Sequence, residues 1–206
     1  MRDRRRTWTL GGIGLIVCGV LGMLRSTGPG MPGVFVLGGV ADLVYAVAVM
    51  LFAFGTTAAA SVVARRPLGV TTMTIVAVWP LIDTVAVRLL PQDGTSLGAW
   101  TTYGYVTLVV QTGAALIAAT QIARAGVVAS PWCWAPLWVL GFQALAWAVP
   151  QIVFVSVGPG AIQSWADLLA LVGTLAALSG TLGLGILSLV LAVQQRPDSV
   201  EVYRSA

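Results

Sequence analysis

Three aspartates, Asp42, Asp83 and Asp167, interrupt otherwise apolar stretches, and they are the residues whose type and placement could do chemistry. A charge near a bilayer centre costs at least ~2.5 to 3.5 kcal/mol on insertion scales, so one that is kept there has a task or a partner. Asp83 is the least explained. It stands seven residues before Leu90, which is ~10 Å of depth at ~1.5 Å per residue, where a helix has no end to cap. Pro80, three residues earlier, cannot donate to the carbonyl of Val76, so the helix kinks and an acceptor is freed beside the acid. Arg88 follows on the same helix, but five residues turn it ~140° off the face of Asp83. The partner of Asp83 is therefore expected on another helix, and Asp42 and Gln151 stand at comparable depth.

Asp42 reads two ways. A helix starting near Val34 buries it by ~12 Å, whereas one starting near Ala41 leaves it at the surface. Asp167 reads as structural, because Ser164-x-x-Asp167 ahead of an apolar run fits a capping box. The outer halves of the second, third and fifth helices are predicted to converge on a polar cavity. It would hold Asp42, Asp83 and Gln151, be rimmed by Arg88, and be lined by Tyr45, Trp79 and Trp147. Pro80 and Pro150 at similar heights are a means of opening such a space. The competing reading is a protonated Asp83 bonded to main-chain carbonyl in a closed bundle. Gln111 and Gln143 read as interhelical hydrogen-bond partners.

These residues sit in a chain of 206 residues that is 58% hydrophobic and 9% charged, with a mean hydropathy of +0.92. A soluble domain carries about a quarter charged residues, so the balance excludes one. The sequence contains no His, Lys or Asn. Without Lys there is no Walker-type phosphate loop and no Schiff base, and without His no Ser-His pair, HExxH zinc helix or imidazole-held haem. Cys18 and Cys133 form no CxxC, so neither disulfide, metal site nor cofactor is expected. The lack of Lys and Asn beside abundant Ala, Gly, Val and Arg suggests a high-GC bacterial genome.

The elements that must position the acids are six transmembrane helices of an all-α, polytopic integral membrane protein. Charge-free runs long enough to cross ~30 Å of hydrocarbon place them at about 8–24, 34–60, 68–90, 99–122, 132–157 and 165–193, in a single domain with no soluble part. Gly28-Pro29-Gly30 with Pro32-Gly33, Pro91-Gln92-Asp93-Gly94 and Gly158-Pro159-Gly160 break the runs, and Ser130-Pro131 starts the fifth helix. With both termini cytoplasmic, nine of eleven arginines lie inside, leaving Arg25 and Arg88 outside. Trp8, Trp132 and Trp134 then mark the inner interface, and Trp100, Tyr103 and Trp165 the outer one. The first segment lacks a small-x-small cleavage site and reads as a retained helix. The expected setting is the bacterial cytoplasmic membrane. The lipid bilayer is the expected partner, and nucleic acid is set aside because topogenesis accounts for the basic residues.

Small residues recur at four-residue steps: Gly14, Cys18 and Gly22 on the first helix, and Gly173, Ala177, Thr181 and Gly185 on the sixth. Such ladders let backbones approach closely. They serve packing within the bundle or, alternatively, a seam with a second copy or a partner membrane subunit. Two echoes, around Asp42 and Asp167 and around Trp8 and Trp100, imply different internal repeats, and neither is carried further.

Three functions compete on these grounds. Proton- or cation-linked passage of a small solute, centred on Asp83, leads. An intramembrane enzyme acting on an isoprenoid or lipid with an Asp general acid is the first alternative, with no catalytic residue assigned. A non-catalytic subunit or assembly factor is the second.

Overall fold

Inside an apolar medium a backbone must satisfy its own amides, and the helix does this within one segment. The computed structural model describes residues 2–27, 33–57, 60–90, 97–128, 130–157 and 159–194, and these are helical apart from short connections. The helices are α1 (Arg2–Thr27), α2 (Val34–Phe54), α3 (Pro67–Leu89), α4 (Leu97–Ala125), α5 (Ala135–Val157), α6 (Pro159–Leu178) and α7 (Leu184–Gln194). A π-helical turn, Ser179–Gly183, joins α6 to α7 as one rod. Six helices are long and apolar enough to cross a membrane.

The first helix is central, with α2 on one side and α7 on the other; α3 packs on α2, α4 on α3, and α5 mainly on α6. Gly12 and Gly185 make the closest crossing. A Cβ on Gly12 would stand 2.2 Å from Ser188 Oγ and 2.9 Å from the Gly185 carbonyl, and one on Gly185 would stand 2.9 Å from the Gly12 carbonyl. The interior is built largely of small side chains, among them Ala46, Ala48, Ala53, Ala77, Ala118 and Ala192, with Trp8, Phe52 and Met73 between them. Large apolar residues such as Leu43, Val109, Trp138 and Val155 face outward. Alanine and glycine bring backbones together where no water-driven force acts between helices.

Contacts define the two ends of the bundle. At the arginine-rich end the Trp8 indole donates to the Ala60 carbonyl (3.1 Å). Arg4 donates to the Val127 carbonyl, and its guanidinium carbon lies 5.0 Å from the Trp8 ring centroid. At the opposite end Arg25 crosses from α1 onto Gly38 of α2, and Arg88 of α3 stacks on Phe35 of α2.

Several boundaries differ from the sequence expectation, the first helix already beginning at Arg2 rather than residue 8. The second helix ends at Phe54 rather than residue 60, because Gly55 adopts φ 58°, ψ 166° and the chain folds back over the helix end. Val62 N–H donates to the Phe52 carbonyl (3.0 Å), Ser61 Oγ to that of Ala53 (2.6 Å), and Arg65 Nε to that of Phe54 (2.9 Å). The carbonyls a helix leaves open at its end are thereby taken up. The sixth helix starts at Pro159, a residue preset for the first helical position, instead of near 165. Asp167 is therefore an exposed residue in the third turn and not a cap. The fifth begins at Ala135, after a 3-10 turn at Trp132–Trp134.

Replacing Gly55 with alanine tests the second boundary. The added Cβ would lie 2.6 Å from Ser61 N and 2.8 Å from the Ala60 carbonyl carbon, in a backbone region other residues avoid. Strain of about 1–3 kcal/mol is expected to lower the thermal midpoint of detergent-purified protein by about 5 °C. Gly113→Ala, in open space among the described residues, is expected to leave it unchanged.

Candidate functional site

Because α2 starts at Val34, Asp42 is the ninth residue of that helix, ~12 Å from its beginning. It is half-buried and lies three residues from Tyr45. Both line cavities, so they share the inward face of α2. Thr84 Oγ1 of α3 donates to Asp42 Oδ2 at 2.6 Å, which satisfies one carboxylate oxygen without neutralising it.

Asp83 is engaged elsewhere. The Tyr103 hydroxyl of α4 donates to its Oδ1 at 2.7 Å. Thr84 and Asp83 are consecutive on α3 and therefore diverge by ~100°, one toward α2 and the other toward α4. Asp42 thus meets one flank of α3 while Asp83 leaves from another, and the two acids do not form the expected pair. Gln151 and Trp147 are exposed on α5, away from both acids, because α5 packs chiefly on α6 rather than on α2 or α3. Arg88 lies over Phe35, its guanidinium carbon 3.2 Å from the ring centroid, a cation–π contact at the bundle end. The Trp79 indole N–H is buried without an acceptor among the described residues.

Two cavities lie along α1. The first, about 260 Å³, is a half-open cleft between α1, α2 and α6 with the π turn, and it is lined by Cys18, Arg25, Asp42, Thr174 and Thr181. The second, about 220 Å³, lies toward the arginine-rich end, where Trp8, Phe52, Met73 and Trp132 give it an almost wholly apolar wall. Tyr45, Gln143 and Ser188 add a few polar atoms to it. The cavities are stacked. Along α1 the wall passes from Trp8 and Leu15 to Cys18 and Arg25; along α2 from Phe52 and Tyr45 to Asp42; along the sixth rod from Leu191 and Gly180 to Thr181 and Thr174.

The π turn stands at the junction. Gln143 Nε2 of α5 donates to the Ala176 carbonyl at 3.3 Å, as does Ser179 Oγ at 2.7 Å. A Cβ on Gly180 would meet Gln143 Nε2 at 2.6 Å. Single π turns inside α-helices recur at functional sites, where the wider turn disturbs the regular ladder.

Of the residues singled out from sequence, Asp42 and Tyr45 line cavities, while Asp83, Trp79, Arg88, Gln151 and Trp147 line neither of these two. The small residues divide as well. Gly14 abuts Ala48, Gly185 abuts Gly12, and Gly173 meets nothing within 4 Å among the described residues. Gly22 and Ala177 border the charged cavity. Sequence reasoning missed Arg25, Thr84 and Tyr103. The first was assigned to the exterior and the last to an aromatic belt; Thr84, next to Asp83, carried no periodic signal. No group of three His, Cys, Asp or Glu able to hold a metal occurs among the described residues.

These features define the class: a six-helix apolar bundle with a charged cavity in one half and an apolar one in the other. No family model, curated protein or solved structure matches the chain.

Proposed function

We propose that the chain is a multi-pass protein of the bacterial cytoplasmic membrane, both termini inside, that passes a small solute through the bundle with Asp42 as the proton- or cation-handling group. The observation that carries this reading is the end-to-end stacking of two cavities along α1, with an incompletely satisfied carboxylate where they approach each other. A charge kept so far from a helix end is costly unless a polar species meets it. Orientation follows from the arginine count, which places Arg4, Arg5, Arg6, Arg65, Arg66 and Arg124 on the cytoplasmic side.

An intramembrane enzyme working through a pair of carboxyl groups needs a second acid on the same wall. Asp83, adjacent in sequence to the residue that binds Asp42, is turned to another flank and bonded to Tyr103, which favours passage over catalysis.

Purified protein reconstituted in liposomes tests the reading by stopped-flow light scattering. The solutes are glycerol, methylammonium, acetate and glycine, each with and without an imposed pH gradient. At least one is expected to enter ten or more times faster than into protein-free liposomes, an acceleration equivalent to about 1.4 kcal/mol of barrier. Entry at the protein-free rate for the whole panel overturns the proposal.

A further inference from the structure

The charged cavity contains one cation and one anion that do not neutralise each other. Arg25 reaches from α1 onto Gly38 of α2, where a Cβ would stand 3.0 Å from a guanidinium nitrogen, so the glycine makes room for the side chain. Asp42 follows Gly38 by four residues, one turn deeper by ~6 Å on the same helix face. Its hydrogen-bond partner is Thr84, and it forms no ion pair with Arg25 among the described residues. The remaining wall pairs small residues, Gly19, Gly22, Ala41 and Ala177, which leave space, with the larger Met23 and Leu178. Thr174 and Thr181 donate their hydroxyl protons to their own helix, which leaves their oxygens as acceptors.

We propose that this cavity is a binding site for a small zwitterion, its anionic group on the Arg25 guanidinium and its cationic group on the second oxygen of Asp42. Charge logic selects that class. A lone anion gains Arg25 but meets Asp42, and a lone cation meets the converse. A molecule carrying both charges a few bonds apart gives each end a partner, the exposed Arg25 at the rim and the half-buried Asp42 one turn deeper. The guanidinium supplies a planar fork suited to carboxylate or another oxyanion. A volume of about 260 Å³ falls below the ~300–1,000 Å³ of drug-sized sites and suits a solute of amino-acid or betaine size. The assignment rests on the passage reading for its purpose, but its test is independent of flux.

Cys18 lines this cavity and Cys133 does not, so the native thiol is a reporter. The full-length Cys133→Ser variant in nanodiscs is treated with a cationic and, separately, an anionic methanethiosulfonate, and labelling of Cys18 is followed by intact mass. Millimolar glycine, β-alanine or glycine betaine is expected to slow labelling at least fivefold, while acetate and methylammonium do not. Arg25→Gln and Asp42→Asn, each in that background and each referred to its own unprotected labelling rate, are expected to raise the protecting concentration ~10-fold or more, the loss of one charge-assisted contact. An unlabelled Cys18, labelling that no zwitterion slows, or equal protection by the singly charged probes overturns the assignment. Protection without liposome flux leaves the site standing and removes the passage reading; flux without protection does the reverse.

Discussion

Gly12→Ala is expected to destabilise the bundle more than any other single-methyl addition to α1. The new Cβ would coincide with Ser188 Oγ, at 2.2 Å, and press on the Gly185 carbonyl at 2.9 Å. The hydroxyl can swing away once its bond to Gly185 O, 2.7 Å long, is broken. The carbonyl belongs to α7 and cannot yield without moving the helix. Overpacking a fixed interface costs about 1–3 kcal/mol, and losing the Ser188 bond adds roughly 1 kcal/mol. At ~2–4 °C per kcal/mol, the midpoint of detergent-purified protein should fall by about 10 °C. Gly22→Ala and Gly173→Ala, which meet nothing within 4 Å among the described residues, are expected to shift it by less than about 2 °C, the range of neutral surface changes. Equal losses at Gly12 and Gly173 would place the crossing elsewhere. Ser188→Gly should recover only part of the Gly12→Ala loss, because it relieves the hydroxyl clash and not the carbonyl one.

That contrast also measures what the sequence discloses. Six apolar rods were legible, because hydrocarbon-length runs between Gly-Pro clusters leave one physical solution. Which small residues form the crossing was not. A four-residue step selects Gly14, Cys18 and Gly22 equally well, but helix rotation turns Gly14 to Ala48, Cys18 and Gly22 to a cavity, and Gly12 to α7. Rotation is set by neighbours far along the chain, and spacing within one helix carries no record of it. The end of α2 was hidden for a related reason: residues 56–60 are Thr and Ala, tolerable in a helix, and the stop depends on one glycine conformation and on Arg65 returning eleven residues later to the Phe54 carbonyl. The acids were half legible. Their presence in the apolar zone was visible from composition, but their partners, Thr84 and Tyr103, come from residue types too common to signal a contact. Arg25 was read as a flanking charge, because nothing local shows that Gly38 lets it lie across onto α2.

Asp42→Asn should therefore lower flux where the same isosteric change at Asp83 leaves it nearly unaltered. In Asp42→Asn the amide oxygen still accepts from Thr84, so the α2–α3 contact survives and the charge alone disappears from the cavity. Flux of whichever panel solute the unaltered protein carries is expected to fall ~10-fold or more, with unchanged midpoint, since removing one ionic contact from the passage raises its barrier by about 1.5–3 kcal/mol. Asp83→Asn likewise keeps an acceptor for Tyr103, but its side chain lines neither described cavity, so flux should stay within about twofold. The role of Asp83 shows in stability instead. Tyr103→Phe removes the hydroxyl and strands a half-buried carboxylate, a cost of about 1–3 kcal/mol and a midpoint lower by about 5 °C. Abolished flux in Asp83→Asn beside a normal Asp42→Asn would move the route to the α3–α4 flank and empty the charged cavity of its role. The measured pattern thus separates a carboxylate retained for a solute from one retained to lock two helices.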